Sequence, residues 1–218
     1  EQRSSRIRQS EEGNHCFYLG LEDAIRRGVL VPLEYKALDY QPSQEDLDEK
    51  IRVFRLWKKK VSEGEAGPAA PYIMSAKVLK GSREKIPVFE EFIDSISQNE
   101  RDRLLRRSLI FVEDSAYGIE VARSLNRKGY RYHTYYHTDE ERNLDRFSRG
   151  ELDILITCHM ISEGVSIDAI SSIILFSSDR QRLETIQRIG RSLRRNKDDP
   201  GKVSFVLDFC SADSDSDN

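Results

Sequence analysis

The spacing of hydrophobic and polar residues divides the chain near residue 108. Beyond that point, short apolar runs alternate with longer stretches in which apolar residues recur at helical spacing. The predicted strands are 109–112, 130–136, 152–156, 173–176 and 203–207. The predicted helices are 115–128, 139–149 and 183–195. This alternation predicts a parallel α/β sheet, and the near-continuous apolar strands indicate burial on both faces.

The pattern before residue 108 is mainly helical. Ser43, with Asp46 three residues later, resembles a capping box at the start of a helix over 43–63. The apolar stripe of this helix is expected to pack inward; it consists of Leu47, Ile51, Phe54, Trp57 or Lys58, and Val61. Trp57 is expected in the core of the helical insertion, with a base-stacking platform as the alternative. Lys58-Lys-Lys60 is read as a solvated helix end, with phosphate contact as the alternative.

Two further helices are predicted in this part of the chain, a short one over 72–79 and a longer one over 84–106. The second is expected to face the core through Ile86, Phe89, Ile93 and Ile96. Ahead of them, an amphipathic helix over 21–27 ends at Gly28, and a strand follows over 29–40. These patterns divide the chain into four parts: a linker with a leading helix and strand (1–40), a helical insertion (41–107), an α/β domain (108–210) and a disordered acidic tail (211–218).

Composition limits the classes of function. The net charge is −3 and the sequence pI is about 5.9, which argues against binding nucleic acid by bulk charge. No apolar run approaches the roughly 20 residues of a membrane helix, and the start lacks a secretory signal and an initiator Met. We therefore expect no membrane partner, a cytoplasmic location and a piece of a longer protein. The cysteines and histidines lack metal-type spacing, so no metal site is predicted.

Ligands of open parallel sheets bind beyond the carboxyl ends of strands. The loops that leave such ends here are 113–115, 137–139 and 157–168, and the third is long and rich in small polar residues. The helix over 185–196 adds a cluster of polar groups, because Gln187, Arg191 and Arg194 are spaced to share one face. Several guanidinium groups beside Gly190 are suited to a polyphosphate.

The pattern Gln187-Arg188-x-Gly190-Arg191-x-x-Arg194 resembles motif VI of superfamily 2 helicases and translocases. Ser162–Ile167 resembles motif V of the same superfamily, and Leu109–Ser115 resembles motif IV. The resemblance implies that residues 108–208 form a C-terminal RecA-like domain, with a parallel sheet flanked by helices.

The resemblance also implies roles for individual residues. Arg191 and Arg194 would be arginine fingers to ATP, and Gln187 and Arg188 would help to order the nucleotide site. Gly164 and Ser166 would lie beside the nucleotide. The residues expected near nucleic acid are Thr157, Ser115 and Asp114.

The sequence departs from the family pattern at several positions, which limits the residue roles that the resemblance implies. Ser166 stands where many members have Asp, which puts ribose recognition in question, and Asp168 replaces the usual Pro. The chain also lacks a Gly-x-x-x-x-Gly-Lys-[Ser/Thr] loop and an Asp-Glu-x-His box. ATP and Mg²⁺ would therefore be held mainly by a missing N-terminal RecA-like domain, and this fragment alone is expected to be inactive.

The leading hypothesis is the second motor domain of an ATP-dependent helicase or translocase, acting on DNA, with RNA left open. Leu21–Tyr35 resembles the corresponding segment of restriction-type helicases, which favours a bacterial restriction, defence or repair system with further subunits as partners. The alternative is a non-catalytic, helicase-like module that binds protein or nucleic acid.

Each candidate residue also has a structural interpretation. The arginine helix could be a surface helix paired with Glu184 and Asp179. Residues 162–166 could form a tight turn. Thr157 could cap a strand end, and Ser115 could be the N-cap of the following helix.

Overall fold

The computed structural model describes residues 8–9, 15–16, 26–27, 31–64, 78–136, 139, 142–158, 170–177 and 202–212. The strands are β1 Arg8–Gln9, β2 His15–Cys16, β3 Leu33–Tyr40, β4 Ser108–Phe111, β5 His133–Tyr135, β6 Ile154–Thr157, β7 Ser172–Leu175 and β8 Ser204–Ser211. The helices are α1 Gln44–Ser62, α2 Lys85–Ser95, α3 Gln98–Leu105, α4 Ser115–Arg127 and α5 Arg142–Ser148. β1 and β2 form a separate antiparallel pair.

The main sheet has six strands in the order β3-β8-β7-β4-β6-β5, and every neighbouring pair is parallel. β4 is central and pairs with both β6 and β7. The predicted parallel α/β fold is confirmed. Parallel strands require crossover connections, and the described connections contain helices: α1 to α3 lie between β3 and β4, α4 between β4 and β5, and α5 between β5 and β6.

Burial of β4, β6 and β7 on both faces follows from their unbroken apolar sequences. Ile110 points into one hydrophobic cluster, whereas its neighbours Leu109 and Phe111 point into the other. α2 and α4 cover the first face, and Leu144 and Phe147 of α5 cover the second. The sheet is therefore the middle layer of three.

Phe176, directly after β7, is the centre of an aromatic group in the first cluster. Its ring lies 4.8 Å from that of Phe209, 5.3 Å from that of Phe89 and 6.0 Å from that of Tyr117. These contacts join β7 to β8, α2 and α4. The end of β7 is consequently one of the most firmly packed points of the described chain.

The prediction of one helix over 84–106 is wrong, because the structure has two helices there. α2 ends at Ser95 and α3 begins at Gln98. Ser97 is extended and forms a capping box with Glu100, in which each side chain accepts a hydrogen bond from the other residue's backbone N–H. The predicted inward residues Ile86, Phe89 and Ile93 are buried, as expected.

The remaining described elements agree with their predictions except at their ends. Gly129, with φ of +79°, follows α4 in the left-handed conformation that glycine adopts most easily. β8 continues to Ser211, four residues beyond its predicted end. β3 pairs along its whole length with β8, so the strand assigned to the leading segment belongs to the main sheet. The division of the chain at 40, 107 and 210 stays a prediction.

α1 begins as predicted but packs differently. Its capping box is complete, with Ser43 and Asp46 as the two partners. The apolar stripe, however, is largely exposed: Ile51 is 48% exposed, Phe54 42% and Val61 40%. Val53 is the residue of α1 that is buried, and Trp57 is half-buried. The expectation that this stripe packs inward is wrong, because no described element covers it.

Several predictions lie mostly or wholly outside the described residues. They are the helices over 21–27, 72–79 and 183–195, and the tail after Ala212.

Candidate functional site

The carboxyl ends of β7, β4, β6 and β5 are adjacent along one edge of the sheet. The backbone beyond them is tied together, because Val112 donates to the carbonyl of Thr157 at 3.0 Å and Ser177 donates to that of Phe111 at 3.2 Å. The Ser177 hydroxyl also donates to the Glu113 carboxylate at 2.8 Å. The predicted loops after β4, β5 and β6 therefore begin at one common edge.

Asp114 and Ser115 form the start of α4. The Asp114 carboxylate accepts the backbone N–H of Tyr117 at 2.8 Å, which makes Asp114 the N-cap. The alternative interpretation of Ser115 as the N-cap is therefore wrong, because Ser115 already lies inside the helix and Asp114 provides the capping acceptor. Ser115 is the first helical residue and is exposed. Its hydroxyl is at the surface of this edge.

Thr157 is the last residue of β6 and is completely buried. Its carbonyl accepts a hydrogen bond from Val112. A contact between its hydroxyl and a phosphate requires that the hydroxyl become exposed. Thr157 thus occupies the predicted edge, but its side chain is directed into the protein.

The described part of the edge carries negative charge. Burial raises the pKa of the Cys158 thiol, and the carboxylates of Asp114, Asp139 and Glu113 raise it further. The thiol is therefore protonated at neutral pH and is unsuited to act as a nucleophile. Glu113 and Asp114 follow β4 and Asp139 follows β5, so the three carboxylates lie on the side of the sheet to which these strands lead.

Tyr136, directly after β5, is packed at the same edge with its hydroxyl buried. That hydroxyl has no hydrogen-bond partner in the described structure, and burial raises its pKa. Its ring lies against Gly118 of α4, so closely that a methyl group at Gly118 would overlap the hydroxyl. Gly118 is therefore required for the close approach of α4 to Tyr136.

Two buried lysines bracket β7. Lys85, at the start of α2, is 3% exposed and donates to the carbonyl of Phe176 at 2.7 Å. Lys202, just before β8, is 5% exposed and donates to the carbonyl of Ile170. A buried ammonium is costly unless it is hydrogen-bonded, and these bonds fix the backbone at both ends of the strand.

Burial lowers the pKa of Lys85 to about 8, although the carboxylates of Asp208, Glu113 and Asp46 oppose the shift. The sequence did not reveal either lysine, since each stands at an element boundary where a charged residue is usually solvated. The apolar neighbours Ile86 and Val203 were the only sign of burial in the sequence. An apolar neighbour does not distinguish a buried lysine from an exposed one.

The residues expected to contact the nucleotide lie outside the described structure. Gly164 and Ser166 belong to 159–169, and the arginine segment belongs to 178–201. β7 is the strand between these two segments, and its end at Phe176 lies at the carboxyl edge.

No group of three or more metal-ligating side chains occurs among the described residues. The predicted lack of a metal site stays a prediction. None of the described helices combines the length and apolar character of a transmembrane segment.

Known proteins resemble this chain over part of their length. The ATP-dependent RNA helicase RhlB of Xanthomonas axonopodis pv. citri is 29% identical over 106 residues, which cover 47% of this chain and 18% of RhlB. The putative ATP-dependent helicase IRC3 of Saccharomyces cerevisiae is 26% identical over 133 residues, which cover 57% of this chain and 18% of IRC3. The chain thus spans about a fifth of the length of these curated relatives.

The fold resembles that of the C-terminal part of the Fun30 ATPase domain. The crystal structure of that protein aligns with a TM-score of 0.55 and 10% identity, and the alignment covers 85% of this chain and 87% of that one. The shared architecture is the RecA-like fold predicted for residues 108–208.

The family model described as the helicase conserved C-terminal domain matches residues 74–196. The match begins before the predicted domain start at 108 and includes both the motif V and the motif VI segments. Since it covers more than half of the chain and agrees with the RecA-like sheet, this chain belongs to the helicase conserved C-terminal domain family.

Proposed function

We propose that this chain is the second motor lobe of an ATP-dependent nucleic-acid helicase or translocase, completed by an N-terminal RecA-like lobe. The observation that supports this most strongly is the position of the end of β7. The helix predicted over 183–195, which carries the arginines, starts seven residues after Phe176, and Lys85 holds Phe176 at the carboxyl edge. In parallel sheets this edge is where ligands bind.

In this proposal Arg191 and Arg194 act on ATP held mainly by the partner lobe. Phosphoryl transfer places charge on the γ-phosphate oxygens, and an arginine supplied across an interface contributes roughly 10³–10⁵ in rate. Gln187 and Arg188 order the same site, with Gly164 and Ser166 beside the nucleotide. Mg²⁺ would neutralise phosphate charge, and the described part of this chain has no carboxylate cluster suited to hold it.

The nucleic-acid contact is proposed to be at the start of α4. Ser115 is the best of the predicted residues, since its exposed hydroxyl can donate to a phosphate oxygen. Asp114 repels phosphate directly, so its part is to cap α4 and to position Ser115. Thr157 contributes only in a state in which its side chain is exposed.

The polymer and the biological context are separate parts of the proposal. Leu21–Tyr35 favours DNA and a bacterial restriction, defence or repair system, whereas RhlB is named as an RNA helicase. The experiment therefore has to include both DNA and RNA.

The test is ATP hydrolysis by the intact parent protein, measured alone and with single-stranded DNA, duplex DNA and single-stranded RNA. The proposal predicts hydrolysis that at least one polymer stimulates, and the stimulating polymer identifies the substrate class. Absence of hydrolysis with every polymer would contradict the motor and leave the non-catalytic binding module.

A further inference from the structure

The distal half of α1 carries an unusual concentration of positive charge. Residues 50–62 contain six basic side chains and no acidic one, in a chain whose net charge is −3; they are Lys50, Arg52, Arg55, Lys58, Lys59 and Lys60. The helix macrodipole favours cations only near the last turn, which accounts for Lys59 and Lys60. The basic residues further back in the helix need another explanation.

We propose that residues 50–62 form a nucleic-acid-binding arm, which extends the path of the strand beyond the Asp114–Ser115 loop. This inference rests on the proposed function, because it assumes that nucleic acid contacts the Asp114–Ser115 loop. The ion pairs described for this surface are local, since Arg52 pairs with Glu49 of α1 and Lys59 pairs with Glu63, the C-cap of α1.

Helical spacing aligns Arg52, Arg55 and Lys59 along one face. The side chain of Arg52 is 69% exposed and that of Lys59 is 73% exposed. Their ion pairs, with Glu49 in the helix and with Glu63 at its C-cap, are exposed, so they are weak and phosphate can replace them. The face extends for about 10 Å, which is long enough to contact more than one phosphate of a strand.

Aromatic rings lie beside this charge. Phe54 is 42% exposed, its ring lies 5.6 Å from that of Trp57, and the Lys58 ammonium stands 4.9 Å from its centre. Aromatic side chains next to basic groups are the composition on which single-stranded nucleic acids stack their bases. Phe54 is therefore the expected stacking position.

The root of the arm is joined to the nucleic-acid loop by consecutive contacts. The Ser82 hydroxyl donates to the Asp46 carboxylate at 2.7 Å, and the Tyr117 hydroxyl donates to the Ser82 carbonyl at 2.8 Å. Tyr117 in turn donates its N–H to Asp114. α1 and α4 thus start from the same corner, and a strand that passes Ser115 comes within reach of α1.

The cleft at the root of α1 is acidic, which restricts where a strand can bind. Its lining includes Glu45, Asp48 and Glu84. These carboxylates repel phosphate, so the strand is expected on the distal half only. An acidic protein or an anionic membrane surface would match the charge equally well, but neither accounts for the connection to the start of α4.

The experiment measures binding of the 218-residue chain to labelled single-stranded DNA and RNA by fluorescence anisotropy as a function of salt. The test variant is Arg55→Gln/Lys59→Gln, and the matched control is Lys36→Gln/Arg106→Gln, which removes the same charge at exposed positions away from α1. Loss of two phosphate contacts should make the slope of log affinity against log salt concentration shallower by about 1.4. If the test variant and the unaltered chain bind equally at about 1 M salt, the variant should bind roughly 25-fold more weakly at about 0.1 M salt. The control should retain the original slope.

A second variant, Phe54→Ala, separates stacking from charge. It should weaken binding by at least about fivefold and leave the salt slope unchanged. Helix content, followed by circular dichroism, checks that every variant is folded.

Three results would overturn the inference: no binding by the unaltered chain, equal losses in the test and control variants, or competition by polyglutamate or anionic vesicles as effective as that by unlabelled oligonucleotide. Because ATP hydrolysis is not measured here, such a failure is distinct from a failure of the proposed motor.

Discussion

Gly118 and Tyr136 illustrate how a single atom limits the packing at the carboxyl edge. The glycine lets α4 approach the ring, and the approach buries a hydroxyl that has no hydrogen-bond partner in the described structure. A buried unsatisfied hydroxyl costs about 1–3 kcal/mol. The buried Tyr136 hydroxyl therefore destabilises the fold at the point where β5, β6 and α4 meet.

Gly118→Ala should lower the free energy of unfolding by about 1–2 kcal/mol. Alanine gains up to about 1 kcal/mol in helix propensity, but the severe overlap of its methyl group with the Tyr136 hydroxyl places the cost of overpacking in the upper half of about 1–3 kcal/mol. Urea denaturation measures the change. Adding Tyr136→Phe should restore part of the loss, and equal stability of Gly118→Ala and the unaltered chain would show that the contact is not restrictive.

Lys85 predicts a dependence of stability on pH. Its pKa is lowered to about 8 in the folded chain, so between pH 8 and the unfolded value the unfolded chain binds more protons. Burying the charged Lys85 lowers the free energy of unfolding by roughly 3 kcal/mol below pH 8. This loss of stability disappears as the pH rises toward about 10, where the lysine is neutral in both states.

The measurement is urea denaturation of the unaltered chain and of Lys85→Met at several pH values from 7 to about 10. Relative to the variant, the unaltered chain should become more stable as the pH rises. The comparison cancels the titration of other groups. A difference between the two proteins that is constant with pH would contradict the lowered pKa of Lys85.

Among the elements, β7 connects the two segments on which the proposed chemistry depends. Lys202 and Lys85 hold the carbonyls at its two ends, and Phe176 fixes its exit in an aromatic cluster. The loops before and after it therefore start from rigid points. Such support is what an arginine finger needs to reach a phosphate in the correct geometry.

At the break between α2 and α3, Ser97→Ala should lower the free energy of unfolding by about 1 kcal/mol. The variant removes the side-chain acceptor for the Glu100 N–H, which is one half of the capping box. Thermal or urea denaturation measures the loss. Ser97→Asn keeps an acceptor at the same place and should be close to the unaltered chain, so equal losses in both variants would argue against capping.

The parallel sheet could be predicted from sequence because β4, β6 and β7 are unbroken apolar runs. The break at Ser97 was missed, since apolar residues on either side continue the same helical period. The exposed stripe of α1 was missed for a different reason: periodicity shows which face of a helix is apolar, but it does not show whether another element covers that face. Ser115 was predicted at the correct edge, whereas its neighbour Asp114 is the cap, because both residue types are favourable at that position.

At the scale of the whole molecule, the described chain is one RecA-like lobe with the helix α1, whose first half is acidic and whose distal half is basic. The lobe has the sheet edge that the proposed ATP site requires, and the acidic groups near Cys158 make that edge unsuitable for phosphate without added positive charge. The arginine segment that follows β7 is the proposed source of that charge. The proposed motor would need a second lobe to supply the phosphate loop.

The most direct measurement is the polymer-stimulated ATPase rate of the intact parent, its Arg191→Ala variant and the matched control Arg131→Ala, with ATP affinity measured in parallel. The account predicts that Arg191→Ala lowers kcat by roughly 10³-fold or more, while ATP and polymer binding are largely kept and the control is unchanged. An ATPase rate that does not depend on Arg191 would contradict the central claim that this lobe supplies the arginine that acts on the γ-phosphate.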